Sequence, residues 1–354
     1  MSEFSAADNL DVSQKLRKLL EDARAQKMFP GASLAWISDP HAPAHSMSVG
    51  SLTYDDVPIR EGPTLYDCAS ITKSIPTSCL AIKLAKEKLF TLDTLVTDIL
   101  PEYTGDCKKT LKIEDLVAFR VPFQLQMSAL KDLSAEEILD RVLTAPIEHN
   151  WKDRPSREPA KEYINATSIL LTKILERATS ETLPNLAEQY FFKPLKMHHT
   201  TFFPTKLDHV NIAPTEIDPW RNRVIQGEVH DESAWKLQQL FTPGSAGLFS
   251  TATDLIEFAR MLLLASSGEE ENIFSATDVR EMSEGLGWET QSDWLKGTPP
   301  GTFGKTGFTG CHIAISPQTR KAVILLSNST WPHRSHRNPA LLKQLRQSIN
   351  VSIL

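Results

Sequence analysis

Apolar side chains recur every three to four positions through residues 10–28 (LDVSQKLRKLLEDARAQKM), and Pro30-Gly31 then ends the repeat. That spacing predicts an amphipathic helix closed by a turn. ASLAWIS (32–38) and HSMSVGSLTY (45–54) read as two strands flanking a loop that holds proline and histidine. Helical spacing returns from Ser70 to Lys88 and continues to about residue 200, with amphipathic pieces at 134–144, 165–178 and 182–190. Prolines 101, 122, 146, 155, 159 and 194 mark its turns. Residues 243–264 predict a Gly/Ser-rich loop and a helix with Thr251, Thr253 and Asp254 as cap and first-turn residues. GCHIAIS (310–316) and KAVILLSN (321–328) read as strands joined by PQTR, and PALLKQLRQSI as a last helix with Pro339 in its first turn. Strands at both chain ends around a helical middle predict an α/β domain made of residues 1–88 and 225–354, with a mainly helical domain, 89–224, inserted between them. A catalytic cleft is expected where the two meet.

Composition narrows the function without naming it. At 354 residues the chain can bury a sizeable core. A net charge of −6 leaves no basic surface for phosphates, which excludes nucleic acid as a partner. No apolar run reaches the length of a membrane span. The N-terminus carries no basic and apolar leader pattern, which predicts a cytoplasmic protein, or a periplasmic one if the chain is a mature form. Cys68, Cys79, Cys107 and Cys311 are scattered without zinc-type spacing and are expected to be reduced thiols, with no metal site.

Three short motifs carry chemistry. S-x-x-K occurs three times, at Ser70-Lys73, Ser128-Lys131 and Ser233-Lys236, where chance alone supplies roughly one or two. Only Ser70 sits at the entry of an apolar-patterned helix, so Lys73 falls one turn on and on the same face. Free amides and the positive dipole end there favour developing negative charge. Y-x-N occurs once, at Tyr163-Ile164-Asn165, heading the segment NATSILLTKILERA. K-T-G also occurs once, at Lys305-Thr306-Gly307, just before a strand. Each alone is a common tripeptide; the order serine, tyrosine, KTG, at spacings of 93 and 142 positions, is not a common coincidence. His230 in EVHDE reads as a solvated loop histidine, and His333, Arg334, His336 and Arg337 as a surface cluster. No G-x-S-x-G elbow is present to serve a Ser-His-Asp triad.

With these motifs the chain resembles the serine β-lactamase and penicillin-binding protein family, closest to class C enzymes and related family VIII esterases. The resemblance spans PGASLAWIS, TLYDCASITKS, EYINATSILLTKILERATSETL, FFKPLKMHHTTF, GEVHDESAW, GSAGLFSTATDLIEFARMLL and GKTGFTGCHIAISP. It implies a mostly antiparallel sheet flanked by helices with a helical domain, and acyl transfer through a covalent serine intermediate. By the same resemblance Ser70 is the nucleophile, and Lys73 with Tyr163 takes its proton, for which Lys73 must release a proton near neutral pH. Asn165 orients Lys73 and the acyl group, Lys305 and Thr306 bind a substrate carboxylate, and the amides of Ser70 and Phe308 after Gly307 form the oxyanion hole. No metal or organic cofactor is needed, and the partner is a small acyl substrate.

The chain departs from the family pattern in three places. LKIEDLVAFRVPF (111–123) stands where relatives carry a His-Thr-Ser-Gly-like loop, which predicts a different cleft wall. Pro76 is expected to kink the active-site helix. Phe308 replaces the small residue that often follows KTG and points towards esters. Intact KTG and Y-x-N favour β-lactams; a carboxylesterase, a D,D-peptidase and a silent scaffold of the same fold are the alternatives, the last disfavoured because a fold alone requires none of the motifs.

Overall fold

The computed structural model describes residues 6–55, 62–148, 151–153 and 165–354. The chain opens with α1 (Ala6–Ala25), β1 (Gly31–Ile37), β2 (His45–Gly50) and β3 (Thr64–Asp67). A 3₁₀ turn (Ala69–Lys73) and a π turn (Ser74–Ser78) then lead into α2 (Cys79–Lys86). Next come α3 (Val96–Ile99), α4 (Ile113–Val117), α5 (Ala135–Leu143), α6 (Ala166–Thr179) and α7 (Leu183–Ala187). Short strands β4 (Asn211–Ile212), β5 (Glu216–Asp218) and β6 (Arg223–Ile225), then α8 (Glu232–Leu237) and β7 (Phe249–Ser250), precede α9 (Ala252–Ser266) and α10 (Ala276–Ser283). The last elements are β8 (Phe303–Thr306), β9 (His312–Ser316), β10 (Lys321–Ser327) and α11 (Pro339–Ile353).

Both chain ends build the main sheet, in the order β2-β1-β10-β9-β8. Every neighbouring pair is antiparallel, with β1 on β10 running from Ala32 opposite Ser327 to Ile37 opposite Ala322. Strand β10 alternates between two cores. Ala322, Ile324 and Leu326 join the larger one with residues of α2, α6 and α9. Val323 and Leu325 join the smaller one, formed with Leu16 and Leu20 of α1 and Leu345 and Ile349 of α11. Because helices cover both faces, KAVILLS and GASLAWI are apolar on both sides rather than alternating, as expected of strands shielded from water on two faces. The result is the expected α/β fold with a mostly antiparallel sheet.

Three expectations are revised. The single helix from Ser70 to Lys88 is interrupted: Ile75 is extended at φ −113° and ψ 113°, and regular helix begins only at Cys79. Pro76, which has no amide donor, stands at that break, as its position predicts. Lys305 and Thr306 do precede a strand, β9, but are themselves the last residues of another, β8, whose edge faces the cleft described below. Strands β3 to β7 escaped the reading because two to four residues are too few for a period of two to register. Among the described residues, no helix is long and apolar enough to cross a membrane.

Ile324→Ala and Leu325→Ala remove fully buried side chains from opposite faces of the central strand. Each is expected to cost about 2–5 kcal/mol of unfolding free energy in denaturant titrations, whereas Val351→Ala on the exposed face of α11 should change it by less than about 0.5 kcal/mol. Equal small effects for all three would contradict the two-core description.

Candidate active site

Strand β3 ends at Asp67, whose Oδ1 accepts the Ala69 N–H at 2.8 Å. This bond and one from Thr72 Oγ1 to the Ala69 carbonyl, 2.6 Å, hold Ala69 in the left-handed region at φ +47°. For a residue with a Cβ that conformation costs roughly 1–2 kcal/mol. The reversal leaves Ser70 half-buried at the first turn, lining a cleft of about 520 Å³. Lys73, one turn on and fully buried, donates from Nζ to Ser70 Oγ at 2.9 Å and to the Ser245 carbonyl at 2.6 Å. That carbonyl is brought in by Gly244, whose N–H bonds Thr172 Oγ1 at 2.8 Å and whose C=O accepts from Thr77 Oγ1 at 3.0 Å. A Cβ at Gly244 would collide with both hydroxyls, so only glycine lets the loop approach.

Across the cleft runs the end of β8. Gly307 packs on the Cys68 carbonyl, where a Cβ would again collide, and Thr306, Gly307 and Phe308 line the cavity beside Ser70. Lys305 is buried; its Nζ donates to Glu289 Oε1 at 3.1 Å and lies 4.4 Å from the centre of the Phe119 ring. Burial pushes the Glu289 carboxyl up, but the Lys305 charge and donors from Trp294, Lys305 and Ser292 hold it below its ordinary value. Asn165, at the entry of α6, donates from Nδ2 to Asp231 Oδ2 at 2.9 Å and to Ser233 Oγ at 3.3 Å. Burial also raises Asp231, yet bonds from Ser233 and Ala234, the Lys73 charge and Asn165 keep it low. Ser70, Lys73, Asn165, Lys305, Thr306, Gly307 and Phe308 thus come together, while Tyr163 lies outside the described residues.

Phe308 is 44% exposed at the lip of the cleft, stacked on His230 at 5.7 Å with the Arg337 guanidinium 4.6 Å from its ring centre. His230 is not a solvated loop residue: it is buried, 2.9 Å from Glu216 Oε2 through Nε2, with its N–H on Asp67 Oδ2 at 2.8 Å. Nor is the 333–337 cluster mere surface. Arg334 pairs with Glu216 and Glu232, and Arg337 lines the cleft. The lysines of the other two S-x-x-K pairs do not line the cleft, Lys131 lying over the Trp220 ring and Lys236 near Trp235, while Ser233 donates to Asp231 Oδ1 at 2.6 Å and supports the site through Asp231 and Asn165.

Phe119, Asp231, Glu289 and Arg337 were not singled out by motif. Asp231 had a legible signal, as the N-cap whose Oδ1 accepts the Ala234 N–H of α8 at 2.8 Å. Phe119 belongs to the 111–123 segment expected to form a different cleft wall, and it lines the cleft; Glu289 and Arg337 reach it through contacts that no local pattern encodes.

The family model described as Beta-lactamase matches residues 16–347. A protein of Escherichia coli O157:H7, provisionally assigned as a D-alanyl-D-alanine carboxypeptidase, is 27% identical over 361 residues, covering 88% of this chain and 80% of that protein. Among solved structures EstCE1, described as a hydrolase with promiscuous acyltransferase activity, is similar with a TM-score of 0.70 at 18% identity, covering 98% of this chain and all of its own. A class C beta lactamase is similar with a TM-score of 0.69 at 16% identity, over 98% of each chain. At such identities the structures speak for the fold alone.

Glu216 anchors the His230 side of this wall. Despite burial, which acts in the opposite direction, bonds from His230 and Arg334 bring its carboxyl down from 4.5 to about 2. A depressed carboxyl contributes stability that is fully present above its unfolded value and lost as pH falls through the folded one. The stability advantage of the unsubstituted protein over Glu216→Gln should therefore be largest above pH 4.5 and shrink towards pH 2. Denaturant unfolding at pH 7, 4 and 3 checks this; a pH-independent difference would remove Glu216 as an ionised anchor.

Proposed function

The chain belongs to the Beta-lactamase family of serine hydrolases, and we propose that it hydrolyses β-lactams through an acyl-enzyme on Ser70. The observation that carries this reading is the 2.9 Å contact between Ser70 Oγ and a fully buried lysine amine in the cleft wall. A neutral Lys73 amine would donate to the Ser245 carbonyl and turn its lone pair to the Ser70 hydroxyl. Ser70 Oγ then attacks the acyl carbon as its proton passes to Lys73, with Tyr163 assigned as partner from its sequence position. The oxyanion is met by the Ser70 and Phe308 amides. Collapse of the tetrahedral adduct expels the lactam nitrogen, which takes up the proton, and water releases the acyl group.

Lys305 already faces the Glu289 carboxylate, so its charge is largely offset for a substrate carboxylate. We assign that anion instead to Arg337, with Thr306 lining the same cleft. Among the described residues Arg337 forms no ion pair, its buried Nε has no hydrogen-bond partner, and burial depresses its guanidinium. The acidic group of penicillins and cephalosporins matches it. A carboxylesterase is the second reading, supported by the aromatic lining of Phe119, Trp288 and Phe308, which suits a flat, apolar acyl group.

Ser70→Ala should abolish hydrolysis of nitrocefin and p-nitrophenyl acetate and eliminate labelling by fluorescent penicillin, while neither Ser128→Ala nor Ser233→Ala abolishes them. Lys73→Arg should be nearly inactive at pH 7, because guanidinium does not give up a proton there. Substantial turnover in either active-site variant would overturn the scheme.

Substrate choice is read from Arg337→Ala. A charge-assisted contact of roughly 1.5–3 kcal/mol predicts a ten- to hundredfold loss in kcat/KM on nitrocefin with little change on p-nitrophenyl acetate. Equal losses on both would favour the ester reading.

A further inference from the structure

We propose that Arg346, a buried guanidinium on α11, positions the oxyanion site by clamping the turn that presents the Phe308 amide. The proposal rests on the acyl-enzyme reading and goes beyond it, since Arg346 does not line the cleft.

Arg346 is 6% exposed, and among the described residues it forms no ion pair. Its Nε is buried without a hydrogen-bond partner. Burial and repulsion from Arg337 push the guanidinium down to about 10, so it remains a cation at neutral pH. Burying this cation is costly, and the Glu289 carboxylate offsets only part of that cost. What it touches is specific: Nη2 donates to the Gly307 carbonyl at 3.3 Å and to the Cys311 carbonyl at 3.0 Å. Those two residues close the turn that carries Phe308, with Gly307 N–H on Cys311 O at 2.8 Å and Gly310 N–H on Gly307 O at 3.1 Å. One nitrogen therefore holds both ends of the turn.

The geometry of the peptide makes the link to chemistry. The Gly307–Phe308 bond is trans, so its C=O and N–H point in opposite directions. With the Gly307 carbonyl held towards α11, the Phe308 N–H points away from α11, and Gly307, Phe308 and Ser70 all line the cleft. A carbonyl that accepts from a cation also polarises its peptide, which strengthens the N–H on the other side as a donor. Arg346 thus aims and sharpens the amide without touching the substrate.

The test uses Arg346→Met, which keeps volume and loses the charge, and Arg346→Lys, which keeps the charge but reaches fewer carbonyls. Active sites are counted by fluorophosphonate titration, so that a misfolded fraction does not pass for slow catalysis. Directly removing an oxyanion donor costs about a hundred- to a thousandfold, so an indirect effect of about tenfold is expected. For Arg346→Met, kcat per titrated site on p-nitrophenyl acetate should fall by about that factor with KM within about twofold. Affinity for a boronic acid that forms a tetrahedral serine adduct should fall in parallel. Arg346→Lys should recover part of both. Unchanged kcat per site and unchanged boronate affinity, even with a lowered Tm, would overturn the proposal and leave Arg346 a purely structural residue. Should Arg346→Met fail to fold, Arg346→Lys decides: a severalfold loss in both readouts supports the clamp, and wild-type values refute it. An unsubstituted protein that takes no label at Ser70 would instead remove the acyl-enzyme reading itself, and the clamp with it.

Discussion

A lysine with no exposed surface, held between a serine hydroxyl and a backbone carbonyl, sets the conditions for the rest of the structure. Burying an ammonium is unfavourable unless its donors are met and opposite charge is close. Lys73 has the Ser245 carbonyl and Ser70 Oγ as acceptors, and its charge is one of the influences that keep Asp231 ionised. Each acceptor requires its own support. Ser245 depends on Gly244 wedged against Thr77 and Thr172, which ties the loop to the break before α2 and to α6. Ser70 depends on the left-handed turn at Ala69, fastened by Asp67. Asp67 also accepts from His230 and, through its carbonyl, from Thr309, so the same residue joins β3, the 230 loop and the β8–β9 turn.

The charges around the cleft are arranged largely in compensated groups. Lys305 faces Glu289, and Glu216 holds His230 and Arg334. Such groups fix orientation more than they add net stability, because desolvation offsets much of the attraction. They fasten loops from distant parts of the chain to the end of β8 and to the aromatic stack at Phe308. Arg337 and Arg346 depart from this pattern, one beside the cavity and one behind its wall.

Among the described residues ten non-glycine residues are left-handed, and two of them stand at the cleft. Ala69 and Phe119 both adopt left-handed conformations, at φ +47° and +54°, and both line or adjoin the cleft. Strain of this kind persists only where the surroundings over-determine it. Here the surroundings are the antiparallel sheet, covered on both faces, and the buried packing of α2, α6 and α9. The rigid part of the molecule thereby holds the unfavourable local geometry that presents Ser70 and forms the aromatic wall over Lys305.

The amino-acid sequence by itself determined the long helices, the paired strands at both ends, and the family-type motifs at Ser70, Lys73, Asn165 and Lys305. Those features are local: hydrophobic period, cap residues and short spacings are written into consecutive positions. It also held the Pro76 break, because a missing amide donor acts within one turn. Only the tertiary structure decided that Glu289 would face Lys305, that His230 would be buried on Glu216, and that Arg337 would turn inward beside Phe308. These contacts join residues of different elements, 14 (216 to 230), 16 (289 to 305) and 29 (308 to 337) positions apart, and their energies depend on burial, which no residue possesses alone. A charge shows its sign in the sequence; whether it is solvated, paired or aimed at a substrate depends on what the fold brings against it.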